Sequence, residues 1–167
     1  MGFGRTGSLF ACDQAGVSPD FMCLSKGLTG GYLPMSAVMT TSTVYDAFYD
    51  EYTSLRGFLH SHSYTGNALA CAAALATLEL FEASDVLADN VQKARWMRDA
   101  VSPLESHPNV GDIRQTGMIL ALEMVADRER GLAWDWRERR GMRVYEHGLA
   151  HGVLLRPIGN VVYFMPP

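Results

Sequence analysis

Short apolar runs alternate with longer stretches of helical spacing in the first two thirds of the chain. Residues 21–25 and 35–39 are apolar runs of the length typical of buried strands. Residues 68–81, which are rich in alanine, and residues 85–104 repeat apolar positions at helical spacing. Candidate N-caps at residues 40–43 predict a further short helix that reaches Tyr49. This succession of strands and helices predicts an α/β chain.

The remaining residues show a second pattern, separated from the first by Pro103, Ser106 and Pro108. We therefore predict two domains, at residues 1–107 and 108–167. The elements predicted after the boundary are two strands joined at Gly117 (110–115 and 118–125), an exposed loop (128–136), an amphipathic helix (139–151) ended by Gly152, and two closing strands (153–155 and 161–165).

Composition and charge exclude several classes of protein. The 167 residues are 48% hydrophobic and 19% charged, which is typical of a globular chain and not of a disordered one. With 14 basic and 18 acidic residues and no basic cluster, nucleic acid is not an expected partner. No apolar run is long enough to span a membrane, and the N-terminus lacks the apolar segment of a signal peptide, so a cytoplasmic location is expected.

Cysteine and histidine spacing argues against a metal centre. Cys12, Cys23 and Cys71 are an odd number without CxxC spacing, so buried free thiols are expected instead of a disulfide framework or a zinc site. His60 and His62 have no carboxylate or cysteine at a matching spacing. We therefore predict no metal site.

The turn GFGRTG at residues 2–7 fits the G-x-G-x-x-G pattern of dinucleotide-binding proteins. That motif needs a strand before it and a helix after it. No strand precedes this turn, and residues 8–12 are predicted to be extended or irregular. We therefore reject the dinucleotide interpretation, and Arg5 remains as a cation on a tight turn.

The stretch DFMCLSKGLTGG at residues 20–31 holds the strongest candidate for chemistry. It places Lys26 at the end of a strand that we expect to be buried, followed by Gly27, Gly30 and Gly31. Burial would lower the pKa of a lysine and make its neutral amine a nucleophile toward a carbonyl, and glycines allow close approach to a phosphate. A surface lysine that begins a Gly-rich turn explains the same pattern equally well.

A polar loop, HSHSYTGN at residues 60–67, precedes the alanine-rich helix. Hydroxyl groups before a helix N-terminus offer a favourable place for an anion. The simpler interpretation is that Ser63 or Thr65 caps the helix.

Taken together, the lysine stretch, the loop with its alanine helix, and LLRPIGNVVYFMPP at residues 154–167 resemble the class III aminotransferases. These enzymes use pyridoxal phosphate and have the fold type I architecture. The resemblance implies an α/β chain that holds a partial large domain and an incomplete α+β small C-terminal domain. With the GFGRTG turn, it is similar to the branch of the family that acts in biotin biosynthesis.

The resemblance also implies roles for single residues. Lys26 matches the lysine that binds the cofactor covalently and later moves a proton at the substrate carbon. His62 and Ser63 match the pair that holds the cofactor phosphate from the other subunit of a homodimer. His62 departs from the proline that the family often has there, and Ser61 stands where a glycine near the substrate is usual.

Two arginines are implied to bind substrate. Arg156 matches the arginine that receives the substrate carboxylate, a task that suits its planar fork. Arg5 matches an arginine near the substrate pocket that helps the enzyme accept two dissimilar substrates. Without the resemblance, Arg156 is simply a surface residue at a strand end.

The activity implied is amino transfer to 7-keto-8-aminopelargonate, giving 7,8-diaminopelargonate. The donor is S-adenosylmethionine or lysine, and the loop at residues 61–67 is somewhat more similar to the lysine-using branch. One alternative is a class III aminotransferase for ω-amino acids or diamines. Another is an inactive C-terminal fragment, because the cofactor-binding aspartate, the stacking aromatic residue and the phosphate loop of the family would precede Gly2.

Overall fold

The computed structural model describes residues 1–167 and divides them into two compact units. The first unit comprises residues 1–3 and 9–86, and the second comprises residues 4–8 and 87–167. The boundary predicted between residues 107 and 108 concerns the domains of the whole protein and stays a prediction. None of the helices is both long enough and apolar enough to cross a membrane.

The first unit contains one small sheet and three helices. Strands β1 (Phe21–Ser25) and β2 (Ser36–Thr40) form an antiparallel pair in which Phe21 lies opposite Thr40 and Ser25 opposite Ser36. The helices are α1 (Ala11–Ala15), α2 (Ser42–Asp46) and α3 (Ala68–Ala83). The strands form where predicted, but the prediction that they are buried is wrong: none of their residues is buried, because a two-stranded sheet covers neither of its own faces.

The helix starts of the first unit are set by side-chain caps. Thr41 accepts a hydrogen bond from the Val44 backbone, as predicted. Helix α3 is capped by Asn67, whose Oδ1 accepts from the backbone N of Ala70 at 3.0 Å, so the expectation of a Ser63 or Thr65 cap is wrong. An amide at residue 67 is one position before the helix, which is where the N-cap side chain must lie.

Helix α1 lies within residues that we expected to be irregular, and that expectation is wrong for Ala11 and Cys12. The backbone N of Phe10 donates to Asp13 Oδ2 at 3.0 Å, and Gly16 ends the helix with a φ of 62°. The cysteines are free, as predicted, but none is buried, and Cys23 is exposed on β1.

The second unit packs one helix against an antiparallel sheet. Helix α4 (Val86–Val101) is followed by a 3-10 turn, Ser102–Ser106, and by strands β3 (Val110–Thr116), β4 (Ile119–Asp127), β5 (Leu132–Ala133) and β6 (Val161–Phe164). Strand β4 pairs with each of the other three. The core of this unit consists of Val110, Leu120 and Leu122, with Met97, Val101, Ile113 and Phe164 packed against them.

The hairpin of β3 and β4 turns at Gly117, as predicted, with a φ of 54°. A Cβ at this position would lie 2.4 Å from the backbone carbon of Thr6, so only glycine fits there. Strand β5 is a short addition within the predicted loop.

Helix α5 (Arg140–Ala150) forms as predicted, and Gly152 follows it with a φ of 78°. The strand predicted at residues 153–155 does not form, because this segment turns back onto the helix. The backbone N of Val153 donates to Gly148 O at 2.8 Å, and the buried Leu155 side chain lies against Gly148. The helix end therefore occupies the backbone groups that a sheet would need.

Candidate active-site residues

Lys26 is the first residue of a 3-10 turn, Lys26–Thr29, directly after β1. Its backbone has a φ of 52°, in the left-handed region that non-glycine residues seldom occupy. Residues in this region are concentrated at functional sites, where the surrounding structure holds them. The side chain is exposed, so the expectation that the lysine lies buried is wrong for this chain.

Backbone hydrogen bonds close the lysine turn on itself. Gly31 N donates to Lys26 O at 3.2 Å, and Gly30, with a φ of 60°, donates to Gly27 O at 3.1 Å. The buried Thr29 hydroxyl donates to Leu33 O at 2.6 Å. The glycines after Lys26 therefore act locally, because they let the chain reverse and return to the lysine carbonyl.

An aromatic side chain packs against the same turn. A Cβ on Gly27 would lie 2.7 Å from the ring of Phe3, so the ring occupies the space that a side chain at residue 27 would need. Phe3 in turn meets Phe10 and Phe81 edge to face, with ring centroids 5.9 and 6.3 Å apart. Phe3 was not predicted as part of the site, although it is the one large apolar residue in the turn GFGRTG.

Lys26 opens onto a cleft of about 1160 Å³ in the first unit. One wall is the lysine turn with the residues up to Ser36, and the opposite wall is the polar loop before α3. The loop residues that line the cleft are His62, Tyr64, Thr65, Gly66 and Asn67. The structure therefore brings together Lys26 and His62, two of the predicted site residues.

Hydrogen bonds shape the polar loop. The backbone N of His62 donates to the Thr65 hydroxyl at 3.1 Å, and Thr65 N returns a bond to His62 O at 2.9 Å. Tyr64 N donates to His62 Nδ1 at 3.1 Å, so this ring nitrogen carries no proton. Ser61 and Ser63 are exposed and do not line the cleft, whereas Thr65, considered only as a cap, does.

Arg156 lies in the second unit, between the buried Leu155 and Pro157. Its side chain is exposed and makes no hydrogen bond or ion pair. Two glycines of α5 hold the segment that carries it: a Cβ on Gly141 would lie 2.3 Å from Gly159 O, and one on Gly148 would lie 2.9 Å from Val153 O. The guanidinium is therefore unpaired on a segment whose backbone is closely packed.

Arg5 also lies in the second unit, but its guanidinium is engaged. Its Nη1 donates to Pro166 O, and its backbone O accepts from Met118 N at 3.0 Å. In this chain Arg5 therefore connects the GFGRTG turn to the hairpin and to the residues after β6. Its predicted contact with substrate stays a prediction.

Comparisons with known proteins give the family. The model of the family described as "Aminotransferase class-III" matches residues 1–167. The chain belongs to the class III aminotransferase family. The resemblance on which the sequence analysis relied is thereby confirmed.

Named relatives in this family are similar over the whole chain. The chain is 48% identical to the adenosylmethionine-8-amino-7-oxononanoate aminotransferase of Geobacter sulfurreducens, covering 100% of this chain and 37% of the relative. It is 47% identical to the enzyme of the same name from Nitratidesulfovibrio vulgaris, covering 100% of this chain and 31% of the relative. The chain thus spans about a third of the length of these relatives.

Solved class III structures share the fold. The adenosylmethionine-8-amino-7-oxononanoate aminotransferase of Methanocaldococcus jannaschii superposes with a TM-score of 0.92 at 42% identity, covering 99% of this chain and 39% of that one. An omega transaminase from Pseudomonas jessenii in complex with PMP superposes with a TM-score of 0.91 at 32% identity, covering 99% of this chain and 37% of that one. The mixed α/β chain is therefore part of a fold type I class III transaminase, as predicted.

Proposed function

We propose that the whole protein is a pyridoxal-phosphate-dependent aminotransferase that converts 7-keto-8-aminopelargonate to 7,8-diaminopelargonate. The observation that carries this proposal is Lys26, held in a left-handed turn at the end of β1 and facing a cleft lined by a polar loop. The named relatives at 47–48% identity support the substrate, because 8-amino-7-oxononanoate is another name for the same keto acid.

The residues of the cleft fit the proposed cofactor. A primary amine at Lys26 suits its aldehyde, and the amide and hydroxyl groups of a loop at a helix N-terminus suit its phosphate. When bound, pyridoxal phosphate supplies an electron sink for the substrate carbon. Lys26 Nζ would act as a general base that accepts a proton from that carbon, and then as a general acid that gives the proton up again during amino transfer.

We propose that Arg156 receives the substrate carboxylate. Its guanidinium has no protein partner, and its fork matches two carboxylate oxygens. The close packing at Gly141 and Gly148 limits the freedom of the backbone that presents it. We assign Arg5 and Ser61 secondary contacts with substrate, on the strength of the resemblance alone.

A homodimer with shared active sites forms part of the proposal. The first unit exposes large apolar side chains, including Tyr52 at 91% and Leu59 at 96%, an arrangement typical of interaction surfaces. The resemblance assigns His62 and Ser63 to the partner subunit's cofactor, whereas in this chain His62 lines the cleft of its own Lys26.

Mixing two inactive variants tests whether the active sites are shared between subunits or completed within one chain. Lys26→Ala and Ser63→Ala subunits of the whole protein are mixed under conditions that exchange subunits, at limiting cofactor. After random exchange of equal amounts, half of the dimers are mixed and each holds one intact site out of two if the sites are shared, so activity would return to about a quarter of the parent value. If each chain completes its own site, the mixture stays as inactive as its components.

The function itself is tested by supplying the whole protein with 7-keto-8-aminopelargonate and either S-adenosylmethionine or lysine. Mass spectrometry should show 7,8-diaminopelargonate with at least one donor, and the names of the relatives favour S-adenosylmethionine. An ω-amino acid donor with a simple keto acid is the control. Turnover of the control pair alone would overturn the substrate and leave the class of enzyme intact.

Binding of the cofactor is tested without turnover. The protein is incubated with pyridoxal phosphate, reduced with borohydride and digested. The pyridoxyl group should appear on the Lys26 peptide and not on Lys93, the other lysine of the chain. Equal labelling of both lysines would contradict a dedicated site.

A further inference from the structure

Helix α5 carries two histidines one turn apart at its C-terminal end. His147 and His151 are spaced i, i+4 and both side chains are exposed. Their ring centroids lie 4.2 Å apart, with 34° between the ring planes. Two histidines at this spacing on one helix face can bind the same metal ion.

Hydrogen bonding leaves one nitrogen of the second ring free to act as a ligand. His151 Nδ1 lies 2.8 Å from His147 O. Because a carbonyl oxygen only accepts, Nδ1 carries the proton and the lone pair of a neutral ring is on Nε2. A backbone carbonyl that orients a histidine in this way is the usual support for a metal ligand. The His147 ring makes no hydrogen bond that competes for its nitrogens.

The spacing of the two rings matches shared coordination. Nitrogens about 2.0–2.1 Å from one metal ion place the two ring centroids about 4.5 Å apart when the ligand angle is near 90°. The observed separation of 4.2 Å is close to this value. No cluster of three or more His, Cys, Asp and Glu side chains exists in the chain, so water would complete the coordination.

We propose that His147 and His151, which are not among the residues that line the Lys26 cleft, form a binding site for a divalent transition-metal ion. Imidazole ligands select Cu²⁺, Ni²⁺ and Zn²⁺ over Mg²⁺ and Ca²⁺, and Cu²⁺ should bind most tightly. A bound ion would link the last two turns of α5, directly before the segment that leads to Arg156. This proposal does not depend on the proposed enzymatic function.

The test is calorimetric titration of the whole protein with Cu²⁺ and Zn²⁺ in a buffer that does not chelate metals. His147→Asn and His151→Asn should each weaken one equivalent of binding at least tenfold. His107→Asn is the matched control, because Asn can still accept the bond that His107 Nδ1 takes from Asn109 N. Equal binding by the parent and both α5 variants would overturn the proposal.

Two further variants test the spacing itself. Combining His147→Ala and Glu146→Ala with Ala150→His keeps the number of histidines but leaves no i, i+4 pair of metal ligands, so binding should be lost. Arg143→Glu replaces a cation one turn before His147 with a carboxylate, so binding should strengthen several-fold. Retained binding in the first variant contradicts the site.

A measurement on the unmodified protein tests the proposed metal site even if a variant fails to fold. Electron paramagnetic resonance with one equivalent of Cu²⁺ should show two coordinated imidazole nitrogens. A spectrum without nitrogen coupling would overturn the proposal.

Discussion

The second unit buries a continuous core, whereas the first unit buries little of its apolar sequence. Seven of the ten buried hydrophobic residues lie in the second unit, among them Met118 and Leu120 at 1% exposure. The first unit contributes Leu28, Ala70 and Ala74. The second unit therefore holds most of the packed apolar core, and the first leaves most of its large apolar side chains exposed.

The comparison shows two ways of holding a candidate site residue. Lys26 is held by a turn that closes on itself and by the Phe3 ring against Gly27. Arg156 is held by a segment packed on the glycines of α5. Changes around Lys26 should therefore affect activity more than stability, and core changes in the second unit should do the reverse.

The largest effect is expected at Lys26 in the first unit. Lys26→Ala removes the amine that would move the proton, so turnover by the whole protein should fall by at least about 100-fold. Steady-state kinetics measures the loss, and thermal unfolding should be nearly unchanged because the side chain is exposed. Lys93→Ala is the matched control. Normal turnover of Lys26→Ala would remove this residue from the site.

A substitution in the core of the second unit should lower the stability of the protein. Leu120→Ala removes a side chain with 1% exposure and should lower the free energy of unfolding by about 2–5 kcal/mol. Denaturant titration checks this value. Leu154→Ala, at 71% exposure, is the control and should cost less than about 1 kcal/mol. Equal losses for the two variants would contradict the contrast in packing.

Substitution of Arg156 should weaken substrate binding and leave the stability of the protein unchanged. Arg156→Ala should weaken interaction with the keto acid by about 2–5 kcal/mol, because a carboxylate loses its charged partner. The measurement is KM together with kcat for 7-keto-8-aminopelargonate. Arg156→Lys keeps the charge without the planar fork and should fall between the parent and the alanine variant. An unchanged KM in both variants would exclude Arg156 from carboxylate binding.

Gly27 tests whether Phe3 supports the lysine turn. Gly27→Ala would place a methyl group 2.7 Å from the Phe3 ring and should cost about 1–3 kcal/mol of stability with a loss of turnover. Adding Phe3→Leu should recover part of both losses. Gly57→Ala, whose Cβ would make an ordinary contact at 3.6 Å, is the control. No recovery in the double variant would mean that the turn does not depend on this contact.

The smallest effect is expected on the surface of the second unit. Hydrogen bonds to Glu123 and then to Asp112 raise the pKa of Arg114. The stabilisation linked to a raised arginine pKa is fully present at both pH 6 and pH 8, because both lie far below the ordinary arginine value, and it is lost as the pH rises above that value. Arg114→Ala should therefore shift the unfolding midpoint only slightly, equally at pH 6 and pH 8. A large difference between the two pH values would contradict this assignment.

Much of the element order could be predicted from local patterns. The alanine-rich α3, the hairpin at Gly117 and the end of α5 each have a signal within a few residues, and all three were confirmed. The burial of β1 and β2 and the strand at residues 153–155 were predicted wrongly. Both errors have one cause. The apolar composition of a segment does not show whether a second layer will cover it or whether it will pack against the end of a helix.

The candidate site shows the same limit. Lys26, His62 and Arg156 could be named because each stands in a motif that resembles the family, and their roles stay predictions. The position of Thr65 in the cleft of Lys26 and the packing of Phe3 against Gly27 were not predicted, because each brings together residues distant in sequence.

The sequence by itself determined the family and the positions of most helices and strands, and it gave the candidates for the residues that carry out amino transfer. These properties depend on residue identity and on spacing over a few positions. Tertiary structure alone decided that Lys26 is exposed, that Phe3 packs against Gly27, and that residues 153–159 pack back against α5. Those depend on which surfaces meet in space, and a close approach between distant segments leaves no periodic signal in the chain.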